Sequence, residues 1–173
     1  MKKIILGLML VSAISAQAQS DDKAIAYNDY IVELQTKIGE SILAFNDAVS
    51  TDTITSAGIQ PYYDAMINDT KNAITKINAV LPYEGNSDLK NAAADLFQFY
   101  LTIFQNEYKE MIGIIFGDAI GDPQLQRMNE ILADISAKEA VLDGNFQAAQ
   151  VAFATKYNFE IIENELQEKI DDY

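Results

Sequence analysis

The chain has 173 residues, with 12 Lys and Arg side chains against 26 Asp and Glu side chains, a formal charge of −14, and no His, Cys or Trp. Without imidazole or thiol groups, the commonest general bases, thiolate nucleophiles and nitrogen or sulfur metal sites are excluded. The negative charge disfavours a nucleic-acid partner, because like charges repel. The 49% of apolar residues suffices for one globular core, and the length suits a single domain.

Residues 1–18 have the pattern of a cleaved secretory signal peptide. Two lysines precede an apolar run from Ile4 to Ile14, and Ala16-Gln17-Ala18 places small residues at positions −3 and −1 of a cleavage site. A membrane anchor is the alternative, but a spanning helix needs about 20 apolar residues, and this run has 11. We therefore expect export of a mature domain over 19–173 with a formal charge of −16.

The absence of cysteine also limits how the exported chain could be attached to a membrane. With no Cys in the sequence, a lipid-modified N-terminal Cys and a disulfide brace are both excluded. No stretch after the signal peptide is long and apolar enough to span a bilayer. The expected location is the periplasm, the outer surface or the medium, and the protein is not expected to be a lipoprotein.

Apolar residues at spacings of three and four predict two long helices in the first half of the mature chain. The first helix is predicted over 22–49. Its apolar stripe is Tyr27, Ile31, Leu34, Ile38, Ile42, Phe45 and Val49. The second is predicted over 54–81, with a break or kink near Pro61, because a proline fits the first turn of a helix but disrupts its interior. Either a separate short helix before Pro61 or one kinked helix satisfies this pattern.

The second half of the chain predicts two more helices, over 87–116 and 123–157. Asn86 or Ser87 is expected to cap the first of them, and Asp122 the second.

The end of the fourth helix is also marked in the sequence. Asn158 is expected to end it in the left-handed conformation, with Phe159 returning to the core. A short acidic helix or tail is expected after this stop.

Four amphipathic helices with short connections favour an all-α, antiparallel up-down-up-down four-helix bundle. A helical hairpin that dimerises is the alternative. Functional sites in bundles are built from polar side chains that project into the core, so polar residues on the apolar stripes are the candidates for a site.

Two carboxylates fall on these stripes, Glu107 in the third helix and Glu139 in the fourth. At 1.5 Å per residue they lie about 14 Å and about 24 Å from the loop that joins their helices, so they are not expected to share one site. Two polar layers are predicted, each a carboxylate with hydroxyl partners. The layer of Glu107 includes Tyr63 and Ser41, and the layer of Glu139 includes Tyr100 and Thr70.

These layers have two interpretations. The first is a set of satisfied hydrogen bonds at the edge of the core, because a buried carboxylate must find partners. The second is a polar pocket, or a carboxylate whose pKa is raised by desolvation. A di-metal site is not expected, because ferritin-like sites use Glu-x-x-His pairs and this chain has no His. No cofactor is predicted.

The chain resembles a family of exported bacterial helical proteins that is named after a leptospiral surface protein and also occurs in Bacteroidetes-type bacteria. The segments that carry the resemblance are Tyr27–Val32, Leu81–Asn86, Glu107–Met111, Phe146–Gln150 and Phe153–Tyr157. The resemblance implies a surface or envelope location and no established activity, so it assigns no functional residues. In bacteria of that type, Asp52-Thr53-Ile54 also resembles an O-glycosylation acceptor motif with Thr53 as the acceptor. A helix-capping role is the alternative for these residues.

Three functions are weighed from these observations. The first is a non-catalytic surface or periplasmic protein that binds a protein or a glycan of the cell envelope. The alternative is a carrier that holds a small ligand in a cavity between the helices, around Tyr63, Tyr100, Glu107 and Glu139. An enzyme that uses carboxylates alone would need two acids flanking one cleft, and the unequal heights of Glu107 and Glu139 argue against it.

Overall fold

The computed structural model describes residues 11–12, 22–51, 53–117 and 121–163. The helices are α1 (Asp22–Val49), α2 (Ser56–Ala79), α3 (Asp88–Ile103), α4 (Lys109–Ile115) and α5 (Asp122–Tyr157). A π-helical turn, Phe104–Tyr108, joins α3 to α4. The strands β1 (Val11–Ser12) and β2 (Ile162–Glu163) pair antiparallel. The predicted all-α helical bundle is confirmed.

The first helix has the predicted bounds. The second begins two residues later and ends two residues earlier than predicted, and the alternative of a separate short helix before Pro61 is wrong. α2 begins at Ser56, where Thr55 Oγ1 accepts a hydrogen bond from Gly58 N at 3.1 Å. The helix continues through Pro61 without a break. Pro61 cannot donate to the Ala57 carbonyl, but Ala57 is exposed and water can take the place of that donor.

The ends of the later helices follow the capping residues. At the start of α3, Ser87 holds the N-cap position, and Asn86 Oδ1 accepts the hydrogen bond from Asp88 N at 2.8 Å. The N-cap of α5 is Gly121, so the predicted role of Asp122 is wrong.

The predicted end of α5 is confirmed. Asn158 has φ 56° and ψ 55°, and Phe159 N donates to Ala154 O at 3.1 Å while the Phe159 side chain is buried. These are the features of a left-handed helix stop.

The most extensive helix contacts are those of α1 with α2, α2 with α3, and α3 with α5. The core between them is apolar and aromatic. Its largest fully buried side chains are Tyr100, Tyr108, Phe97, Phe104, Phe146, Ile31, Ile38, Ile42, Ile59 and Met66. α1 also meets α5, at a contact in which Gln150 Nε2 donates to Asn28 Oδ1 at 2.9 Å.

A tight turn at Tyr83–Asn86 connects α2 to α3. Tyr83 and Asn86 exchange both backbone hydrogen bonds, at 3.0 and 2.8 Å. Glu84 and Gly85 between them have φ 48° and 81°. Two central residues with positive φ are the signature of a type I′ turn, for which glycine carries no steric penalty.

The short strands pair residues 11–12 with residues 162–163. β1 lies inside the predicted signal peptide, and β2 lies at the start of the segment predicted as a short acidic helix or tail. The rest of the predicted signal peptide and the tail after Glu163 lie outside the described residues. Within the described part of the chain, every helix is too short or too polar to cross a membrane.

Candidate functional site

The structure brings Glu139 and Tyr100 together, as the sequence predicted. The Tyr100 hydroxyl donates to Glu139 Oε1 at 3.1 Å. Glu139 is 7% exposed, and Tyr100 is fully buried. Desolvation raises the pKa of Glu139 to about 7, against the lowering effect of the Tyr100 hydrogen bond, and the nearby charge of Asp143 raises it further. Burial disfavours the charged form of a carboxylate, which explains the direction.

The sequence prediction missed Asp143, which lies one helical turn after Glu139. Asp143 is 6% exposed, and its Oδ2 accepts a hydrogen bond from Gln147 Nε2 at 2.8 Å. Burial raises its pKa to about 6, although the bond from Gln147 lowers it. The sequence spacing could have identified Asp143 as a core residue. It lies four residues from Glu139 and three from Phe146, on the same helix face.

The two hydroxyl residues predicted to bind the carboxylates do not reach them. Ser41 Oγ donates to Ile38 O at 2.8 Å, and Thr70 Oγ1 donates to Met66 O at 2.7 Å. Both therefore satisfy their hydroxyl within their own helix, a local bond that Ser and Thr form readily. The prediction that they complete the polar layers is wrong.

The π-helical turn changes the role of Glu107. Sequence periodicity placed Glu107 at the centre of the third stripe, but Tyr108 takes that position at 1% exposure and Glu107 lies half-buried at the edge. The extra residue of an i→i+5 turn rotates the later residues of the helix around its axis. Among the described residues, Glu107 Oε2 has no hydrogen-bond partner although that atom is buried.

Tyr63 was predicted to bind Glu107, but it binds the π-helical turn instead. Its hydroxyl donates to Phe104 O, the first carbonyl of the π-helical turn, at 2.8 Å, and the bond is buried. Single π-helical turns inside α-helices occur frequently at functional sites. The turn is therefore a feature of the candidate site that the sequence did not predict.

Two shallow surface depressions adjoin the turn, and together we call them the π-turn groove. The first, of about 470 Å³, is lined by Gln105, Asn106, Glu107, Lys109, Glu110 and Arg127. The second, of about 420 Å³, is lined by Gln60, Tyr63, Ile67, Gln105, Lys109 and Ile112. Gln105 and Lys109 border both depressions. The groove therefore presents amides, a lysine and carboxylates on a helical surface.

An ion pair fixes one wall of the groove. Arg127 Nε and one terminal nitrogen donate to the two carboxylate oxygens of Glu110 at 2.7 and 3.0 Å. The hydrogen bonds from Arg127 lower the pKa of Glu110. A bidentate pair of this geometry holds both side chains in a fixed orientation, so Glu110 is suited to accept hydrogen bonds and unsuited to act as a general acid.

The far end of the bundle carries an aromatic cluster of Tyr27, Tyr83, Phe153 and Tyr157. Ring centroids lie 5.3 Å apart for Tyr27 and Tyr83, 5.4 Å for Tyr27 and Phe153, and 4.9 Å for Tyr83 and Tyr157. The Tyr157 hydroxyl also donates to Glu84 at 3.1 Å. These rings come from three of the segments that carry the family resemblance, and they hold α1, the turn and α5 together.

Two other predicted features concern glycosylation and metal binding. Thr53 lies exposed in the connection between α1 and α2, while Asp52 of the same motif lies outside the described residues. In the described part of the chain, no three acidic side chains come close enough to bind a metal ion.

No protein-family model matches this chain, and no match is found among the curated proteins or the solved structures. The chain is thus defined by its own features, an all-α bundle with a polar groove at a π-helical turn and a buried acid pair.

Proposed function

We propose that this chain is an exported, non-catalytic protein that binds a protein or a glycan of the cell envelope through the π-turn groove. The observation that carries the proposal is the pair of adjoining depressions that meet at Gln105 and Lys109 beside the turn. Each depression, at about 470 and 420 Å³, has a volume within the range of ligand-binding clefts, on the order of 300–1,000 Å³. The export signal in the sequence supports an envelope location.

The lining of the groove supports recognition of a polar partner. Three amides, the Lys109 ammonium and the Glu107 carboxylate supply both hydrogen-bond donors and acceptors. Arg127 and Glu110 add a fixed charge pair at the rim. Sugar hydroxyls and peptide groups both need this mixture of donors and acceptors.

The described geometry does not favour the carrier alternative. A carrier needs a cavity that reaches both predicted polar layers, whereas the π-turn groove opens outward and neither of its depressions is lined by Tyr100 or Glu139. Tyr100 is instead packed in the core, with its ring stacked on Phe104 at 6.0 Å.

The test uses a charge reversal at the centre of the groove. The mature domain and its Lys109→Glu and Lys138→Glu variants are immobilised and cross-linked to an envelope fraction of the producing organism. Lys138 is exposed on α5 and lies outside the groove lining, so the control has the same change of net charge. We expect the wild type and Lys138→Glu to capture a partner. Lys109→Glu should capture at least tenfold less of it.

Two outcomes would contradict the proposal. One is equal capture by both variants, which would place binding elsewhere on the surface. The other is no saturable capture by the wild type. Treating the fraction with protease or with periodate before capture distinguishes a protein partner from a glycan.

A further inference from the structure

We propose that Glu139 and Asp143 form a buried proton-binding site between α5 and α3, and that its deprotonation loosens the packing of α5. Neither residue lines the π-turn groove, so this site is separate from the proposed binding surface.

The geometry of the pair is that of two carboxyl groups on one helix face. Glu139 and Asp143 are four residues apart, and each is more than nine-tenths buried. Glu139 accepts a bond from Tyr100, and Asp143 Oδ2 accepts one from Gln147. Asp143 Oδ1 is buried and has no partner among the described residues. Two carboxyl groups buried side by side favour retention of a proton. If both ionised, the two negative charges would repel each other in a poorly solvated site.

Among the described residues, no lysine or arginine forms an ion pair with either carboxyl group. α3 contributes Tyr100, and the π-helical turn contributes Tyr108, whose pKa is raised by burial and by the charge of Glu139. The buried hydroxyl of Tyr108 has no partner among the described residues.

In the described parts of α1 and α4, no cation pairs with Glu139 or Asp143 either. The buried polar side chains of α1 are Asn28, Gln35 and Ser41, which do not titrate. α4 meets α5 where Glu110 binds Arg127, and these two charges satisfy each other. No ion pair within the described residues involves Glu139 or Asp143.

A proton is therefore the ligand that this site accommodates. Burial raises the pKa of Glu139 from 4.5 to about 7 and that of Asp143 from 3.8 to about 6. Because the folded state binds protons more tightly than the unfolded chain, the stability from this site is complete at low pH. It is lost as the pH rises through the folded-state pKa values, between about pH 4 and pH 7.

The direct experiment is a carboxyl ¹³C NMR titration of the mature protein from pH 4 to pH 9. We expect the resonances of Glu139 and Asp143 to titrate with midpoints at least one pH unit above those of the exposed acids. Ordinary midpoints for both residues would overturn the proposal.

A variant links the proton to packing. Glu139→Gln preserves size and the capacity to accept a bond from Tyr100, but it cannot ionise. We expect the wild-type midpoint of thermal unfolding to fall by roughly 5–10 °C between pH 5 and pH 8.5, and Glu139→Gln to remove most of that fall. Glu33→Gln, on an exposed position of α1, serves as the control and should retain it.

Hydrogen exchange distinguishes a proton-dependent change in packing from a purely structural role of Glu139. Amides over residues 135–147 of the wild type should exchange faster at pH 8.5 than at pH 5, after correction for the intrinsic rate, and Glu139→Gln should suppress the difference. Equal pH dependence in Glu139→Gln and Glu33→Gln would contradict the proposal.

Discussion

The hydrogen bond from Tyr63 to the π-helical turn can be tested by removing a single oxygen atom. The Tyr63 hydroxyl donates to Phe104 O at 2.8 Å, and Phe104 is fully buried. Tyr63→Phe keeps the ring and deletes the donor, so a buried carbonyl loses its side-chain partner. Leaving a buried acceptor unsatisfied costs about 1–3 kcal/mol of stability.

Urea unfolding of the mature domain measures this loss. With a denaturant slope of about 2 kcal/mol per molar, the unfolding midpoint of Tyr63→Phe should fall by roughly 0.5–1.5 M without a change in slope. Tyr62→Phe is a matched control, since Tyr62 neighbours Tyr63 on α2 and is 42% exposed. Its midpoint should move by less than about 0.2 M, because surface substitutions rarely exceed about 0.5 kcal/mol.

The comparison also has a clear negative outcome. If the two phenylalanine variants unfold at the same urea concentration, the hydroxyl of Tyr63 does not stabilise the turn. The π-helical turn would then have to be held by the packing of its rings alone.

The helix stop, the core and the predicted export signal each give a further prediction. Asn158→Val should lower stability by about 1–2 kcal/mol in thermal unfolding, because a β-branched residue is strained at φ 56°, whereas Asn158→Gly should be nearly neutral; equal losses would contradict the reasoning. Phe146→Ala should cost about 3–5 kcal/mol because Phe146 is fully buried, and Val141→Ala, at a position 63% exposed, should cost less than about 0.5 kcal/mol. N-terminal sequencing of the exported protein should begin at Gln19, and an intact N-terminus would refute the predicted cleavage site.

Much of the helical fold could be predicted from hydrophobic spacing alone. α1 has the predicted bounds, and Asn158 and Phe159 end α5 as expected. Each of these features depends on residues that are neighbours in the sequence, so local propensity and capping decide them. The pairing of Glu139 with Tyr100 was also predictable, because helix rise fixes the level of each residue once the connecting loop is located.

The features that were missed depend on contacts between helices. The π-helical turn contains no proline or glycine, and its register change accompanies a hydrogen bond from Tyr63 on another helix. A constant period of 3.6 residues therefore assigned Glu107 the core position that Tyr108 occupies. Ser41 and Thr70 were expected to bind carboxylates across the bundle. Their hydroxyls instead donate to backbone carbonyls of their own helices.

Hydrogen exchange of the mature protein, with and without its captured envelope partner, tests directly whether the π-turn groove is the binding surface. We expect slower exchange on binding over residues 104–112 and around Arg127, with little change at the aromatic cluster. Protection confined to the aromatic cluster, or to the connection between α1 and α2, would contradict the proposed binding surface.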